Sequence, residues 1–125
     1  MKKGFVLIVS VAFLLIVGCT NQPNIISEET MIIEEQIDTE GQYNVIKEIT
    51  DKAEIETVVE IFKNARWEEA WDKSTFPDYV MNNRYDLWIR SNNTLKVRIY
   101  SKDAILSKKD SKRLYEMMTD EKLGE

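Results

Sequence analysis

The sequence predicts a small α+β domain, an antiparallel sheet of about five strands with two helices packed on one face, in the order β-β-α-β-β-β-α. Three observations predict this class. The stretches 51–65 and 107–119 have apolar residues at helical spacing behind a capping residue. The stretches 85–90 and 95–100 alternate apolar and polar residues, as paired strands do. The length of 125 residues allows one domain and little besides.

The chain begins with a predicted secretion signal, residues 1–18. A short basic start, Met1-Lys2-Lys3, precedes the segment 4–17, which is apolar except for Gly4 and Ser10. This segment has the length of a signal-peptide core and is too short to span a bilayer, which takes about 20 residues. We therefore expect the rest of the chain to be exported.

The signal ends in Ile16-Val17-Gly18-Cys19, which resembles the lipobox of bacterial lipoproteins. The resemblance implies that Cys19 carries lipid, such as palmitate, and that the peptide is cut just before it. The protein would then be anchored to the cell membrane on its extracytoplasmic face. Residues 19–29 become the lipidated Cys and a polar tether, and residues 30–125 the single domain.

The first half of the domain predicts a hairpin followed by a helix. Met31-Ile32-Ile33 and Ile37 predict the first strand, and 43–49 predicts the returning strand after a turn. Asp51 caps the helix, and Glu54 is placed three residues on to complete the cap. The apolar stripe of this helix consists of Ile55, Val58, Val59, Phe62 and Ala65.

Residues 66–78 leave two alternatives open, a continuation of the helix or an aromatic-rich loop. Pro77 excludes helix at the end of this segment. Tyr79-Val80-Met81 then predicts a strand, and Asn82-Asn83 a turn.

The two faces of the next hairpin fix its register. A two-residue turn would set Ile89 opposite Lys96 and mix apolar with charged residues. A three-residue turn, Ser91-Asn92-Asn93, sets Ile89 opposite Leu95 and separates the faces. We therefore predict the three-residue turn, with Asn93 in the left-handed conformation that Asn tolerates.

The end of the chain predicts a final helix. Residues 104–106 form either a short strand or a bend. Ser107 caps a helix of about residues 108–119. Its buried stripe is Leu114, Met117 and Met118.

Several of these segments together resemble the YhfM-like group of small lipoproteins from Bacillus-type Gram-positive bacteria. They are Ile49-Thr50-Asp51, Phe76-Pro77-Asp78-Tyr79, Tyr85-Asp86-Leu87-Trp88-Ile89 and the helix that Ser107 leads. The likeness covers roughly residues 30–118 and the lipobox. It implies a position on the outer leaflet of the cytoplasmic membrane, facing the cell wall. It brings no catalytic residue, because the group has no established activity.

The composition excludes several kinds of site. The chain has no His and one Cys, which excludes Ser-His-Asp and Cys-His catalysis, His-ligated metal and an internal disulfide. We therefore predict no metal and no cofactor. The mature side chains carry 15 Lys+Arg against 22 Asp+Glu, and this acidic balance argues against a nucleic-acid partner.

A wall-acting hydrolase is one alternative for the function. Glu68, Glu69, Asp72 and Asp78 lie in or beside the Trp-rich segment, and a glycosidase needs two carboxylates, one of them with a raised pKa. A domain with a single sheet leaves little room for a sugar cleft. We therefore expect that the protein is not an enzyme.

The non-core face of the second hairpin is the predicted binding surface. Its Trp lies beside Lys and Arg, which suits a peptide, a glycan or an anionic wall polymer through stacking and cation–π contacts. Two structural alternatives stay open: cross-strand pairs on a solvent-facing sheet, or a loop from 66–78 that covers the face. The residues of the predicted surface are Trp88, Arg90, Lys96, Arg98 and Tyr100.

The expected function is a small binding or interaction module at the membrane–wall interface. Its partner would be an unknown protein or an anionic wall polymer. A passive accessory subunit of a membrane complex, docking through residues 31–60, is another alternative. Residues 28–60 hold 11 acidic against 2 basic side chains, whereas 61–125 hold 11 against 13, and such asymmetry can mark a docking face.

Overall fold

The computed structural model describes residues 22–38, 40–70 and 75–124, which form seven strands and two helices. Cys19, Trp71 and Asp72 lie outside the described residues. The strands are β1 Met31–Gln36, β2 Tyr43–Ile49, β3 Trp67–Glu69, β4 Tyr79–Met81, β5 Tyr85–Ile89, β6 Leu95–Ile99 and β7 Lys102–Ile105. The helices are α1 Lys52–Asn64 and α2 Lys108–Thr119.

All strands belong to one antiparallel sheet in the order β2-β1-β4-β5-β6-β7-β3. The α+β class, the antiparallel sheet and the two helices are thereby confirmed. The sheet has seven strands where the sequence predicts about five. The additional strands are β7, where the sequence left a strand or a bend, and β3, within the stretch left as helix or loop. These strands have only three and four residues, which is too few to show a clear alternation of apolar and polar side chains.

The predicted register of the β5–β6 hairpin is confirmed. Ile89 lies opposite Leu95, and Arg90 N–H donates to the Thr94 carbonyl at 2.8 Å, which leaves Ser91–Asn93 as the three-residue turn. Asn93 has φ 61°, the predicted left-handed conformation.

Both helices begin at the predicted caps and pack on one face of the sheet. The Asp51 carboxylate accepts from Glu54 N–H at 3.0 Å, and the Ser107 hydroxyl accepts from Asp110 N–H at 3.1 Å. Phe62 of α1 packs on Tyr85, and Tyr115 of α2 packs edge-on to Tyr79. Tyr79 is opposite Leu87, two residues from Tyr85, so both rings belong to the same face. The core lies between this face and the helices.

The opposite face of the sheet, called the open face below, has no helix over it in the described part of the chain. Its central residues come from β5, β6 and β7, and residues 75–78 run along its margin. The outward side chains in the centre are Asp86, Trp88, Lys96, Arg98 and Asp103, all partly buried.

The chain before β1 lies against the domain instead of extending from it. Ile25 is only 9% exposed and joins the hydrophobic core. Ile25 and Glu28 belong to the segment 19–29, which the sequence predicts as a tether, so part of that segment is docked. None of the helices in the described ranges is long and apolar enough to cross a membrane.

Candidate functional site

Three of the five predicted binding residues meet at the centre of the open face. Trp88 lies directly opposite Lys96, and Lys96 Nζ is 4.5 Å from the centroid of the Trp88 ring. Arg98, two residues along β6, has its guanidinium carbon 5.2 Å from the same centroid. Both cations therefore lie within cation–π range of one half-buried indole.

The other two predicted residues lie at the ends of the hairpin. Arg90 follows the last residue of β5 and is exposed, and its Nη1 donates to the Thr94 hydroxyl at 3.3 Å. Tyr100 lies in the turn between β6 and β7 with φ 54°. The left-handed backbone breaks the alternation that would have placed Tyr100 on the open face. The structure thus brings together Trp88, Lys96 and Arg98, and leaves Arg90 and Tyr100 outside their cluster.

The two cations of this cluster are already matched by carboxylates. Arg98 donates two hydrogen bonds to Asp103, from Nε at 2.5 Å and from Nη2 at 2.7 Å, and Lys96 Nζ is 4.0 Å from the same carboxylate. Asp86 lies opposite Arg98 on the other side, in β5. The surface therefore presents bound ion pairs, and its charge is close to balanced. The sequence analysis did not identify Asp103 as part of this surface. With only four residues, β7 shows no clear alternation of apolar and polar side chains from which its two faces could be assigned.

Asp86 is a titratable group of this cluster whose acidity is altered. Burial raises the pKa of the Asp86 carboxyl above its usual value, and the nearby Arg98 opposes this by lowering it. Burial is the larger effect, so the carboxylate of Asp86 is less stable here than in water. A ligand that donates hydrogen bonds to Asp86 would relieve this cost.

Beside the cluster lies a groove of about 720 Å³. One wall is formed by β5 and β6, and the other by residues 75–78. The lining residues are Gln36, Thr75, Phe76, Pro77, Asp78, Asp86, Trp88 and Arg98.

Hydrogen bonds hold the outer wall of the groove in place. Trp88 Nε1 donates to the Thr75 carbonyl at 3.1 Å, and the Tyr43 hydroxyl donates to the Pro77 carbonyl at 2.8 Å. The Asp78 carboxylate accepts from Ile89 N–H at 2.7 Å. The loop alternative for 66–78 is therefore correct in part: residues 75–78 border the open face, while Trp67 belongs to β3.

The hydrolase candidates that the structure describes, Glu68, Glu69 and Asp78, do not converge on one site. Glu68 and Glu69 lie on β3, whereas Asp78 precedes β4, and three strands separate the two positions. Four strand spacings amount to about 19 Å, well beyond the 5–9.5 Å between the carboxyl groups of glycosidases. Glu69 instead pairs with Lys102 Nζ at 2.7 Å. Asp72 lies outside the described residues. The described ranges also contain no group of acidic, Cys or His side chains able to hold a metal ion.

The acidic region proposed as an accessory docking surface comprises β1, β2 and α1. β2 lies at one edge of the sheet, and its Val45 is 62% exposed. An edge strand can pair with another chain, so this region retains the capacity to dock.

Comparisons of the chain with protein-family models, with curated proteins and with solved structures give no match. The likeness to the YhfM-like group and the lipidation of Cys19 therefore stay predictions from the sequence.

Proposed function

We propose that this protein is a lipid-anchored binding module of the extracytoplasmic membrane surface and that it binds a glycan strand of the cell wall in the groove of the open face. One observation carries the proposal: a half-buried Trp88 ring lies in the same groove as a fixed set of hydrogen-bonding groups, Asp86 and Arg98. Lipid on Cys19 would hold the module beside the wall, and no cofactor takes part.

The chemistry of the groove favours a sugar. An indole offers a flat apolar surface, and a pyranose ring has apolar C–H faces that stack on such a surface. Asp86 supplies acceptors for sugar hydroxyls, and Arg98 lies opposite it at the same groove. The groove combines an apolar surface from Phe76, Pro77 and Trp88 with convergent polar groups, and small-molecule sites use both kinds of surface.

The charge balance disfavours the anionic wall polymer that the sequence suggests as a partner. Lys96 and Arg98 both lie close to Asp103, and Asp78 and Asp86 add two further carboxylates at the groove. A polyanion would have to displace these carboxylates from the cations or approach them directly. An uncharged glycan avoids both costs.

The position of the groove within the sheet disfavours an extended peptide. β5 pairs with β4 on one side and with β6 on the other, so its backbone groups are already used. A peptide bound there could not add to the sheet as a further strand, which is one way in which an extended peptide gains affinity from a sheet. The described carboxylates that suggested a hydrolase are also far apart, so we propose binding without catalysis.

The test measures binding of the soluble domain to purified wall glycan from which the anionic polymers have been stripped. Trp88→Ala should weaken binding by about tenfold, equivalent to about 1.4 kcal/mol, because a partly buried aromatic ring is a typical hot spot. Arg90→Ala is the matched control, since Arg90 lies outside the groove and its loss should leave the affinity unchanged.

Two results would refute this function. One is equal binding by the parent and by Trp88→Ala, with both shown to be folded by circular dichroism. The other is binding that disappears when the anionic polymers are stripped, which would make the polyanion the ligand.

A further inference from the structure

The segment that precedes β1 is fixed to the domain by specific contacts. The Glu28 carboxylate contacts the side-chain amide of Asn82 and lies 3.4 Å from Arg84 Nη1. Asn82 also donates to the Thr30 carbonyl at 2.9 Å and accepts from Ile32 N–H at 2.6 Å. Glu28 and Thr30 are thus held on the turn between β4 and β5, and Ile25, three residues before Glu28, lies in the core.

This turn lies at the same end of the sheet as the turn between β6 and β7. Antiparallel pairing sets Ile33 opposite Met81 and Tyr85 opposite Ile99, so the start of β1 and both turns are together. The Tyr85 hydroxyl lies here as well: burial raises its pKa, Arg84 lowers it, and Glu28 and Tyr100 are both near enough to raise it further. We call this the anchor end, formed by residues 25–30, 82–84 and 100–101.

The length of chain between the lipid and the domain limits how the domain can be oriented. Cys19 is six residues before Ile25, a span of at most about 20 Å when fully extended. The headgroup layer of one leaflet takes up about 5–8 Å of that reach. The opposite end of the sheet is separated from the anchor end by the length of the strands, about 17–23 Å for five to seven residues. The anchor end is therefore the part of the domain that reaches the bilayer.

Tyr100 has the features of a membrane-interface residue. It is 75% exposed and adopts φ 54°, a backbone conformation that is unfavourable for a bulky side chain, and it gains little packing in return. Tyrosine is enriched at the headgroup level of membranes, where its ring is partly buried and its hydroxyl stays hydrated. Ile26, 44% exposed in the docked segment, adds a second apolar group at this end.

Two ion pairs lie at or beside the anchor end. Arg84 is paired with Glu28, and Lys102 with Glu69 at 2.7 Å. Glu29 in the docked segment is exposed, so the anchor end carries a side-chain charge of −1, against a balance of −7 for the mature chain.

We propose that the anchor end rests on the bilayer, with Tyr100 in the headgroup layer and the docked segment 25–30 fixing this orientation. The proposal rests on the lipid anchor at Cys19 that belongs to the proposed function. It places the groove, which is lined by Trp88 and Gln36 near the other end of their strands, on the side that faces the wall.

The experiment uses the acylated protein in vesicles of phosphatidylglycerol and phosphatidylethanolamine that contain a headgroup-nitroxide lipid. Ser101→Cys and Ser91→Cys are a matched pair of exposed serines at opposite ends of β6. With Cys19 acylated, only the new thiol takes up a fluorescent label. The nitroxide should quench most of the fluorescence at position 101 and little at position 91. Adding Ile25→Ser should release the segment and reduce quenching at 101 to the level seen at 91.

Flotation of the vesicles separates the two proposals. A protein that fails to float with the vesicles refutes the anchor, and the orientation with it. A protein that floats but is quenched equally at 91 and 101 refutes the orientation alone. Unchanged quenching in the Ile25→Ser variant, with its fold retained by circular dichroism, refutes the role of the docked segment.

Discussion

Arg98 lies near two carboxylates, Asp103 and Asp86, and its contacts with the two are different. Its guanidinium binds Asp103 through two hydrogen bonds, and it faces Asp86 across the β5–β6 pair. Asp86 is partly buried, and the positive charge of Arg98 offsets only part of the cost of burying its carboxylate. The result is a carboxyl whose pKa is raised by burial despite a cation beside it.

This environment predicts a specific pH dependence for Asp86. Its folded-state pKa lies above the unfolded value, so the folded protein binds this proton more readily and the stability due to Asp86 falls as the pH rises above about 4. Asp86→Asn removes this dependence. The free energy of unfolding of the variant, measured in urea from pH 3 to 7, should therefore rise relative to the parent as the pH increases.

The opposing effect of Arg98 gives an independent check. Arg98→Met should raise the pKa of Asp86 further, as followed by the carbon shift of its carboxyl group in a nuclear magnetic resonance titration. A stability difference between Asp86→Asn and the parent that is constant with pH, or a pKa of Asp86 at its usual value of 3.8, would contradict this account.

Individual polar residues are where the sequence was least informative. Ser111 is fully buried in α2, accepts from Leu95 N–H at 2.9 Å and donates to the Leu106 carbonyl at 3.4 Å. A serine in a helix usually faces solvent, so the buried stripe predicted for α2 contains only apolar residues and leaves out Ser111. Ser111 is buried because its hydroxyl bonds the backbone of Leu95 in β6 and of Leu106 in the loop before α2. The spacing of residues in the sequence does not reveal these two partners.

At the scale of the element, the strength of the local pattern decides what could be predicted. The β5–β6 hairpin has five residues a side with two distinct faces, and its register was predictable because any slip would bury charge. β3 has three residues and no partner close in sequence, since it pairs with β7 more than 30 residues later. Its strand conformation is imposed by this pairing and by the contacts of Trp67.

Trp67 links α1 to β3, and its indole should contribute to the stability of both. Trp67 Nε1 donates to the Phe62 carbonyl at 2.8 Å, and its ring packs edge-on to Phe62. Trp67→Phe keeps an aromatic ring but leaves a carbonyl in the last turn of α1 without this donor. We expect a loss of about 1 kcal/mol in the free energy of unfolding. Hydrogen exchange of the β3 amides should become faster.

Trp67→Ala provides the comparison for this prediction. It removes the buried ring as well as the hydrogen bond and should cost about 3–5 kcal/mol. If Trp67→Phe is as stable as the parent and the amides of β3 keep their protection, the indole hydrogen bond does not hold this strand.

At the scale of the whole molecule, the structure differs from the sequence-based expectation in two places where distant parts of the chain meet. A polar stretch with Pro23 predicts a free tether, yet Ile25 and Glu28 in that stretch find partners in the core and on a distant turn. No local signal distinguishes an apolar residue in a tether from one that docks. The groove, likewise, depends on residues 75–78 meeting β5, a contact between separate parts of the chain.

The docked segment predicts that the stable unit begins at Ile25. A soluble form that starts at Gln22 should be more stable than one that starts at Thr30 by about 2 kcal/mol, the value of burying one large aliphatic side chain. The measurement is the free energy of unfolding in urea for both forms. Ile25→Ser in the longer form should lose most of the same difference, because Ile25 provides the apolar burial. Equal stability of the forms that start at Gln22 and Thr30 would mean that the segment only lies near the domain. The short reach between Cys19 and the domain would then be lost, and with it the physical reason for the membrane orientation.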